Sequence, residues 1–138
     1  MKKDLETTED IRLLVDSFYA RVREDDVIGF IFNDVAKVNW ALHLPKMYAF
    51  WEAILFGNAG FKGNPMAVHI QLDQIEPLTE AHFDRWKQLW DYTVQTNFFG
   101  PTAEKAKKQA DSIRQLMMLK INNYRTGIGI IPNKSQSI

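Results

Sequence analysis

Apolar side chains recur every three or four residues through almost the whole chain, and no stretch alternates apolar and polar residues between turns. The first spacing gathers apolar groups on one face of an α-helix, whereas alternation would be typical of half-buried strands. The pattern therefore predicts an all-α fold. Its spacing fits neither a heptad coiled coil nor an evenly spaced bundle, and no internal repeat is visible.

Capping and helix-breaking residues divide the chain into four long helices and one short helix. The long helices are expected over residues 8–24, 38–56, 80–98 and 102–124, and the short one over residues 65–72. Residues 27–32 are expected to form one or two turns, and residues 57–64 a loop. Pro45 should kink the second long helix or mark a late start. The inner face of the last helix is expected to carry Ile113, Leu116, Met117, Lys120 and Ile121.

Composition narrows the classes of protein that the chain can represent. Its 138 residues suit a single domain over residues 1–138, with residues 125–138 as a flexible tail, and 46% apolar residues exclude a disordered chain. The chain has 17 basic residues (lysine and arginine) and 17 acidic residues (aspartate and glutamate). This balance argues against a nucleic-acid-binding protein and against a protein that binds membranes through a polybasic segment. No apolar run is long enough to span a membrane, and the acidic start does not resemble a signal peptide, so we expect a cytoplasmic protein.

The absence of cysteine excludes zinc–thiolate sites, iron–sulfur clusters, a cysteine nucleophile and covalent haem attachment. The sequence contains three histidines, and each taken alone has an ordinary structural interpretation. His43 lies on a buried stripe and would most simply be a satisfied core histidine, and His82 is expected in the exposed first turn of its helix. His69, on the short helix, is either half-exposed or a metal ligand. A haem needs one imidazole, an apolar pocket and polar groups near the open iron position, so the sequence permits a haem.

Six motifs in order resemble those of the group III truncated haemoglobins and together cover roughly residues 10–120. The motifs are residues 16–23 (DSFYARVR), 28–32 (IGFIF), 40–47 (WALHLPKM), 50–51 (FW), 63–69 (GNPMAVH) and 82–86 (HFDRW). The glycine-pair motifs of the other truncated haemoglobin groups are missing. Phe30 departs from the proline that is common in the family, and Lys87 departs from the usual apolar residue.

The resemblance implies a shortened globin fold, a two-over-two helical sandwich around haem b (iron protoporphyrin IX). It implies that His69 is the proximal iron ligand and that Lys46 reaches a haem propionate. The residues that would line the haem pocket are Phe32, Met47, Phe50 and Phe83, and those that would face a bound gas are Tyr19, His43 and Trp86. Taken singly, Tyr19 and Trp86 would be ordinary core residues.

The function implied by the resemblance is reversible binding of O2 and other diatomic ligands such as NO or CO in a hydrogen-bonding pocket. Slow release of O2 would suit NO dioxygenation, peroxide chemistry or sensing, with a reductase as an expected but unidentified partner. Two alternatives stay open at this point: a haem-dependent peroxidase-like enzyme, and a cofactor-free helical interaction module in which the histidines are incidental. The role of His43 also stays open between a hydrogen-bond donor, a gate and an occasional iron ligand.

Overall fold

A computed structural model of the chain describes residues 1–58, 61 and 63–127. Its elements, in chain order, are α1 (Thr8–Glu24), a π-helical segment (Ile31–Val35), α2 (Trp40–Phe56), α3 (Pro65–Ile75), α4 (Glu80–Asn97) and α5 (Pro101–Arg125). Within these residues the only strand-like pairing is a single bridge between Lys3 and Phe98, so the predicted all-α class is confirmed. None of the described helices is long and apolar enough to cross a membrane.

Local signals explain where most helices begin and end. The Thr7 hydroxyl accepts from the Asp10 backbone N–H at 3.2 Å and the Asp10 carboxylate accepts from the Thr7 N–H at 3.0 Å, a reciprocal cap at the start of α1. Gly57 ends α2 with a φ of 76°, a left-handed conformation that costs glycine little. The bounds of α1, α2 and α4 therefore follow the sequence pattern within about two residues.

Two expectations about the helices are wrong in detail, and one is narrowed. Helix α3 extends to Ile75 rather than residue 72. Pro45 lies inside α2, which excludes a late start of that helix, and the other alternative, a kink at Pro45, stays a prediction. Arg125, expected in the tail, is still helical and is hydrogen-bonded to Asp73 and Leu78, while residues 128–138 of the expected tail lie outside the described residues.

The inner face of α5 also differs from the expected stripe. Leu116 is 45% exposed and Lys120 is exposed, so neither belongs to that face. The buried positions are Ala103, Ala106, Ala110, Met117 and Ile121. Small alanines let α4 approach closely, and the Trp90 indole N–H donates to the Ala106 carbonyl at 3.1 Å. This contact between α4 and α5 selects the buried face of α5.

The helices pack against one another through five main contacts between elements. Helix α1 contacts α2 and α4, α5 contacts α4 and also α2, and α3 rests on α5. The centre of the packing is Trp90, which is fully buried, stacks on Trp51 at 4.2 Å between ring centroids and lies edge-on to Phe18 at 5.0 Å. The pairs thus meet at one aromatic cluster, beside which a cavity remains open.

The N-terminal segment is hydrogen-bonded to the first turn of α5. The Asp4 carboxylate accepts from the backbone N–H groups of Thr102 at 2.9 Å and Ala103 at 2.8 Å, so it caps a helix that lies far along the chain. Gly100 has a φ of 145°, and a Cβ there would lie 2.5 Å from Asp4 Cγ. Asp4 and Gly100 therefore form a matched pair at this helix start.

Candidate functional site

A cavity of about 290 Å³ lies between the helix pairs, and all five helices and the π-helical segment contribute to its wall. Its lining is largely apolar, with a few polar groups that converge on it. Every residue for which the sequence predicted a role lines this cavity: Tyr19, Phe32, His43, Lys46, Met47, Phe50, His69, Phe83 and Trp86. A largely apolar cavity with few polar groups is typical of a cofactor or small-molecule site.

His69 is presented by α3. This helix starts sharply because the Asn64 side chain accepts from the Ala67 N–H at 3.1 Å and Pro65 occupies the first helical position. His69 Nδ1 lies 2.6 Å from the Pro65 carbonyl oxygen, which can only accept a hydrogen bond, so Nδ1 carries the proton. Burial lowers the pKa of His69, against the opposing effect of that hydrogen bond. The neutral imidazole thus keeps the lone pair of Nε2 for a metal.

His43 reaches the cavity from α2. It is 6% exposed, and within the described residues neither of its ring nitrogens has a hydrogen-bond partner. Burial, with smaller effects from the charges of His69 and Lys46, lowers the pKa of His43 to about 4. A neutral imidazole offers one donor and one acceptor, so both functions of His43 are available to a bound molecule.

Tyr19 lies beside His43 at the junction of α1 and α2. The two rings meet edge-on at 5.1 Å between centroids, and Trp40 contacts both, at 5.3 Å from Tyr19 and 5.6 Å from His43. Burial raises the pKa of the Tyr19 phenol, so the hydroxyl stays protonated at physiological pH. Tyr19 is therefore a permanent donor next to an imidazole that can either donate or accept.

Trp86 approaches the cavity from α4, stacked on Trp90 at 6.4 Å between centroids and edge-on to Phe18 at 6.0 Å. The Trp90 indole N–H is occupied by the Ala106 carbonyl, whereas no bond to the Trp86 N–H is found in the described part of the chain. Of these two stacked indoles, Trp86 is the one that lines the cavity with its donor unused.

Lys46 adds a cation to the cavity wall. It is half-buried on α2, three residues after His43, and within the described residues no carboxylate forms an ion pair with it. A half-buried ammonium without a partner favours an anionic group on whatever enters the cavity. The wall beside it is formed by Met47 and Phe50 from the same helix.

Several lining residues were not predicted for the site. Ile113 and Met117 close the cavity from α5, and Leu78 and Phe61 close it from the loops on either side of α3. The periodicity of α5 had marked Ile113 and Met117 as inward-facing, but no local signal distinguishes a cavity wall from an ordinary core. His82, expected to be exposed, is half-buried at the cavity edge, where its Nδ1 accepts from the Thr79 N–H at 3.1 Å.

The donor set fits a planar, largely apolar metal cofactor with anionic substituents. No group of three or more histidine, cysteine, aspartate or glutamate side chains that could hold a bare metal ion occurs among the described residues. An imidazole with a free Nε2 lone pair, His69, a lysine without an ion-pair partner and an apolar cavity instead meet the needs of a haem, which brings its own four nitrogen ligands. His43, whose two ring nitrogens have no partner among the described residues, lines the same cavity.

A helical fold that encloses such a cavity, with one imidazole of fixed tautomer and several unused donors, is typical of a globin. The family model for bacterial-like globins matches residues 4–122, and the chain belongs to this family. It is 31% identical over 97 residues to the group 3 truncated haemoglobin ctb of Campylobacter jejuni, an alignment that covers 68% of this chain and 74% of the relative.

The fold is also similar to a solved structure. The crystal structure of the group III truncated haemoglobin from Campylobacter jejuni superposes with a TM-score of 0.77 at 24% identity, covering 90% of this chain and 98% of the other. The resemblance to group III truncated haemoglobins and the shortened globin fold are thereby confirmed. Membership in the globin family implies that the chain binds a haem and, through it, diatomic gases such as O2.

Proposed function

We propose that this chain holds haem b in the cavity and binds O2 and other diatomic gases reversibly, with His69 as the proximal iron ligand. When bound, the haem supplies an iron centre with one coordination position open to small gases. The observation that carries the proposal is the pair of imidazoles that face one apolar cavity from different helices, His69 with a fixed tautomer and His43 with both nitrogens unpaired.

Each polar residue has a defined task in this proposal. Tyr19 and Trp86 donate hydrogen bonds to the bound gas, because the phenol stays protonated and the indole N–H can only donate. His43 stays neutral and adds a third polar contact. Lys46 binds a haem propionate. Phe32, Met47, Phe50 and Phe83 exclude water from the haem faces, which strengthens every hydrogen bond inside the cavity.

A direct experiment separates this proposal from a cofactor-free interaction module. Protein from iron-sufficient cells, or apoprotein to which hemin is added, should show a strong Soret band that shifts when the reduced protein meets O2 or CO. A colourless protein that does not bind added hemin would contradict the proposal and favour the interaction module. The role of an external reductase is tested on the same sample, since the ferric protein should need an added electron donor to bind O2.

A second candidate function, reduction of peroxides, is favoured by the state of His43. Because its pKa lies at about 4, its imidazole is unprotonated at neutral pH and can accept the proton of a peroxide that enters the cavity. Peroxide-dependent oxidation of a phenolic reductant should then fall about a hundredfold in H43L, the usual contribution of a general base, while hemin binding is kept. Equal rates in the parent and H43L would leave gas binding as the function.

A further inference from the structure

Helix α3, which presents His69, is too short to hold its own orientation. It runs from Pro65 to Ile75, and isolated helices shorter than about 12–15 residues are marginal in water. Its N-terminal end is fixed by the Asn64 cap, and its packing partner is α5. The direction of the His69 ring therefore depends on how the C-terminal end of α3 is held.

That end is held by three residues that we call the Asp73 clamp: Asp73, Leu78 and Arg125. Asp73 lies one turn after His69, and its Oδ1 accepts from the Leu78 N–H at 2.7 Å, beyond the end of the helix. Arg125, the last residue of α5, donates from Nε to Asp73 Oδ2 at 3.0 Å and from Nη2 to Asp73 Oδ1. The same Nη2 donates to the Leu78 carbonyl at 2.8 Å. The clamp thus ties α3, the following loop and α5 in one closed set of bonds.

The carboxylate at the centre of the clamp is buried, although the side chain of its partner Arg125 is 38% exposed. The Asp73 side chain is only 6% exposed, and a buried carboxylate is tolerated only where hydrogen bonds and an opposite charge replace its water. Leu78 is 4% exposed and lines the same cavity as His69, as does Leu72. Movement of the clamp would therefore move two residues of the wall of the cavity that His69 lines.

We propose that Asp73 and Arg125 are positioning residues for the haem: they fix α3 against α5 and so aim His69 Nε2 into the cavity. Loosening the clamp lets α3 shift or fray, and His69 then holds the iron less firmly. This inference rests on the proposed function. It makes haem retention depend on a residue at the end of α5 that lines no part of the cavity.

The chain contains a closely matched ion pair for comparison. Asp25 and Arg85 join the end of α1 to α4, with side-chain exposures of 4% and 39%, against 6% and 38% for Asp73 and Arg125. Asp25 also accepts from backbone N–H groups, those of Val27 and Ile28. The two pairs have the same chemistry and burial, and only one of them is attached to the helix of His69.

The experiment compares R125Q with R85Q. Three quantities are measured: the rate of haem transfer from the ferric protein to excess apomyoglobin, the iron–histidine stretching band of the reduced protein, and hydrogen exchange over residues 66–75 of the apoprotein. We expect R125Q to speed haem transfer and exchange in α3 by about tenfold, the effect of one lost charged hydrogen bond, and to shift or broaden the stretching band. R85Q should stay within about twofold of the parent in all three, although both variants lower the melting temperature.

R125K provides the conservative comparison, because lysine keeps the charge but cannot form the paired bonds, and its values should lie between those of the parent and R125Q. It also replaces R125Q if that variant does not fold. A parent that binds haem while R125Q and R85Q behave alike would overturn the role of the clamp and leave the proposed function intact. A parent that binds no haem would overturn both.

Discussion

Single polar side chains in an apolar cavity are the clearest functional signal at the scale of the residue. A buried imidazole with two unpaired nitrogens is costly, and native proteins rarely leave such groups without a use. Read alone from the sequence, His43, Tyr19 and Trp86 were each more simply explained as core residues. Only the ordered set of motifs predicts a shared role for them, because no sequence spacing reveals that side chains on three helices line one cavity.

Removing one donor from the cavity should speed the release of O2. In Y19F and W86F we expect the O2 dissociation rate to rise about tenfold each, since a hydrogen bond to a polarised acceptor contributes about 1.4 kcal/mol or more. The stability of either variant should change by no more than about 2 kcal/mol. Rapid-mixing measurements on the reduced protein test this, and dissociation rates equal to the parent rate in both variants would remove these side chains from the gas-binding site.

His43 should make the stability of the apoprotein depend on pH. Its pKa is about 4 in the folded protein and 6.5 in the unfolded chain, so the unfolded chain binds more protons between these values. The free energy of unfolding should therefore decrease as the pH falls from 6.5 to 4, by about 3 kcal/mol from His43. His69, whose pKa is also lowered, adds to the loss with the same sign.

Urea unfolding of the apoprotein across this pH range measures the effect. In H43L the free energy of unfolding should decrease less as the pH falls, because the contribution of His43 is removed. The decrease that remains comes from His69 and the acidic groups. A parental slope in H43L would mean that the imidazole is solvated or already partnered in the folded protein.

The same variant decides how His43 controls ligand entry. His43 is only 6% exposed, packs against Tyr19 and Trp40, and forms part of the cavity wall on the side of α2. If this ring is a gate, H43L should change the CO association rate several-fold, because CO binding depends little on hydrogen bonds and strongly on access. CO association within about twofold of the parent rate, together with faster O2 release, would make His43 a donor and not a gate.

At the scale of the element, the sequence predicts what local chemistry determines. Three helix starts are indicated by side chains that hydrogen-bond to backbone N–H groups within the next few residues, and all three caps are present, at Thr7, Asn64 and Thr79. The end of α3 could not be predicted, because it depends on a bond from Leu78 and on Arg125, which lies 52 residues from Asp73. The inner face of α5 likewise depends on a distant contact, since the Trp90 indole N–H donates to the Ala106 carbonyl and the face that carries Ala106 is buried, whereas Leu116 is exposed.

The cap from Asp4 to α5 should be a measurable source of stability. Burial alone would raise the pKa of Asp4, but hydrogen bonds from Thr102, Ala103 and Leu5 outweigh it and lower the pKa. D4A should lower the free energy of unfolding by about 1–2 kcal/mol, the usual value of a side-chain cap. Because the pKa of Asp4 is lowered in the folded protein, the full difference from the parent is expected above about pH 5, and the difference should shrink as the pH falls below that. E6A, at an exposed neighbouring carboxylate, is the control and should change stability by less than about 0.5 kcal/mol. Similar losses in both variants would assign the effect to surface charge.

At the scale of the whole molecule, the cavity is a product of every helix. Its wall combines Tyr19 from α1, His43 from α2, His69 from α3, Trp86 from α4 and Met117 from α5. The sequence resemblance predicted the polar residues of this wall but not its closure by α5 and the loops. The cavity beside the central tryptophans lacks packing contacts, which lowers the stability of the apoprotein. A bound haem should stabilise the protein by filling this cavity.

The most direct test of the account is a hemin titration of the apoprotein, followed by the Soret absorbance, for the parent, H69A and H82A. Both histidines line the cavity, but His82 Nδ1 accepts from the Thr79 N–H, whereas His69 Nδ1 donates to the Pro65 carbonyl and leaves the Nε2 lone pair for a metal. The proposal that His69 is the proximal ligand predicts that H82A binds hemin as the parent does, and that H69A binds it weakly and regains the parental spectrum of the reduced protein when imidazole is added. Haem loss in H82A, with a normal five-coordinate reduced spectrum in H69A, would contradict it.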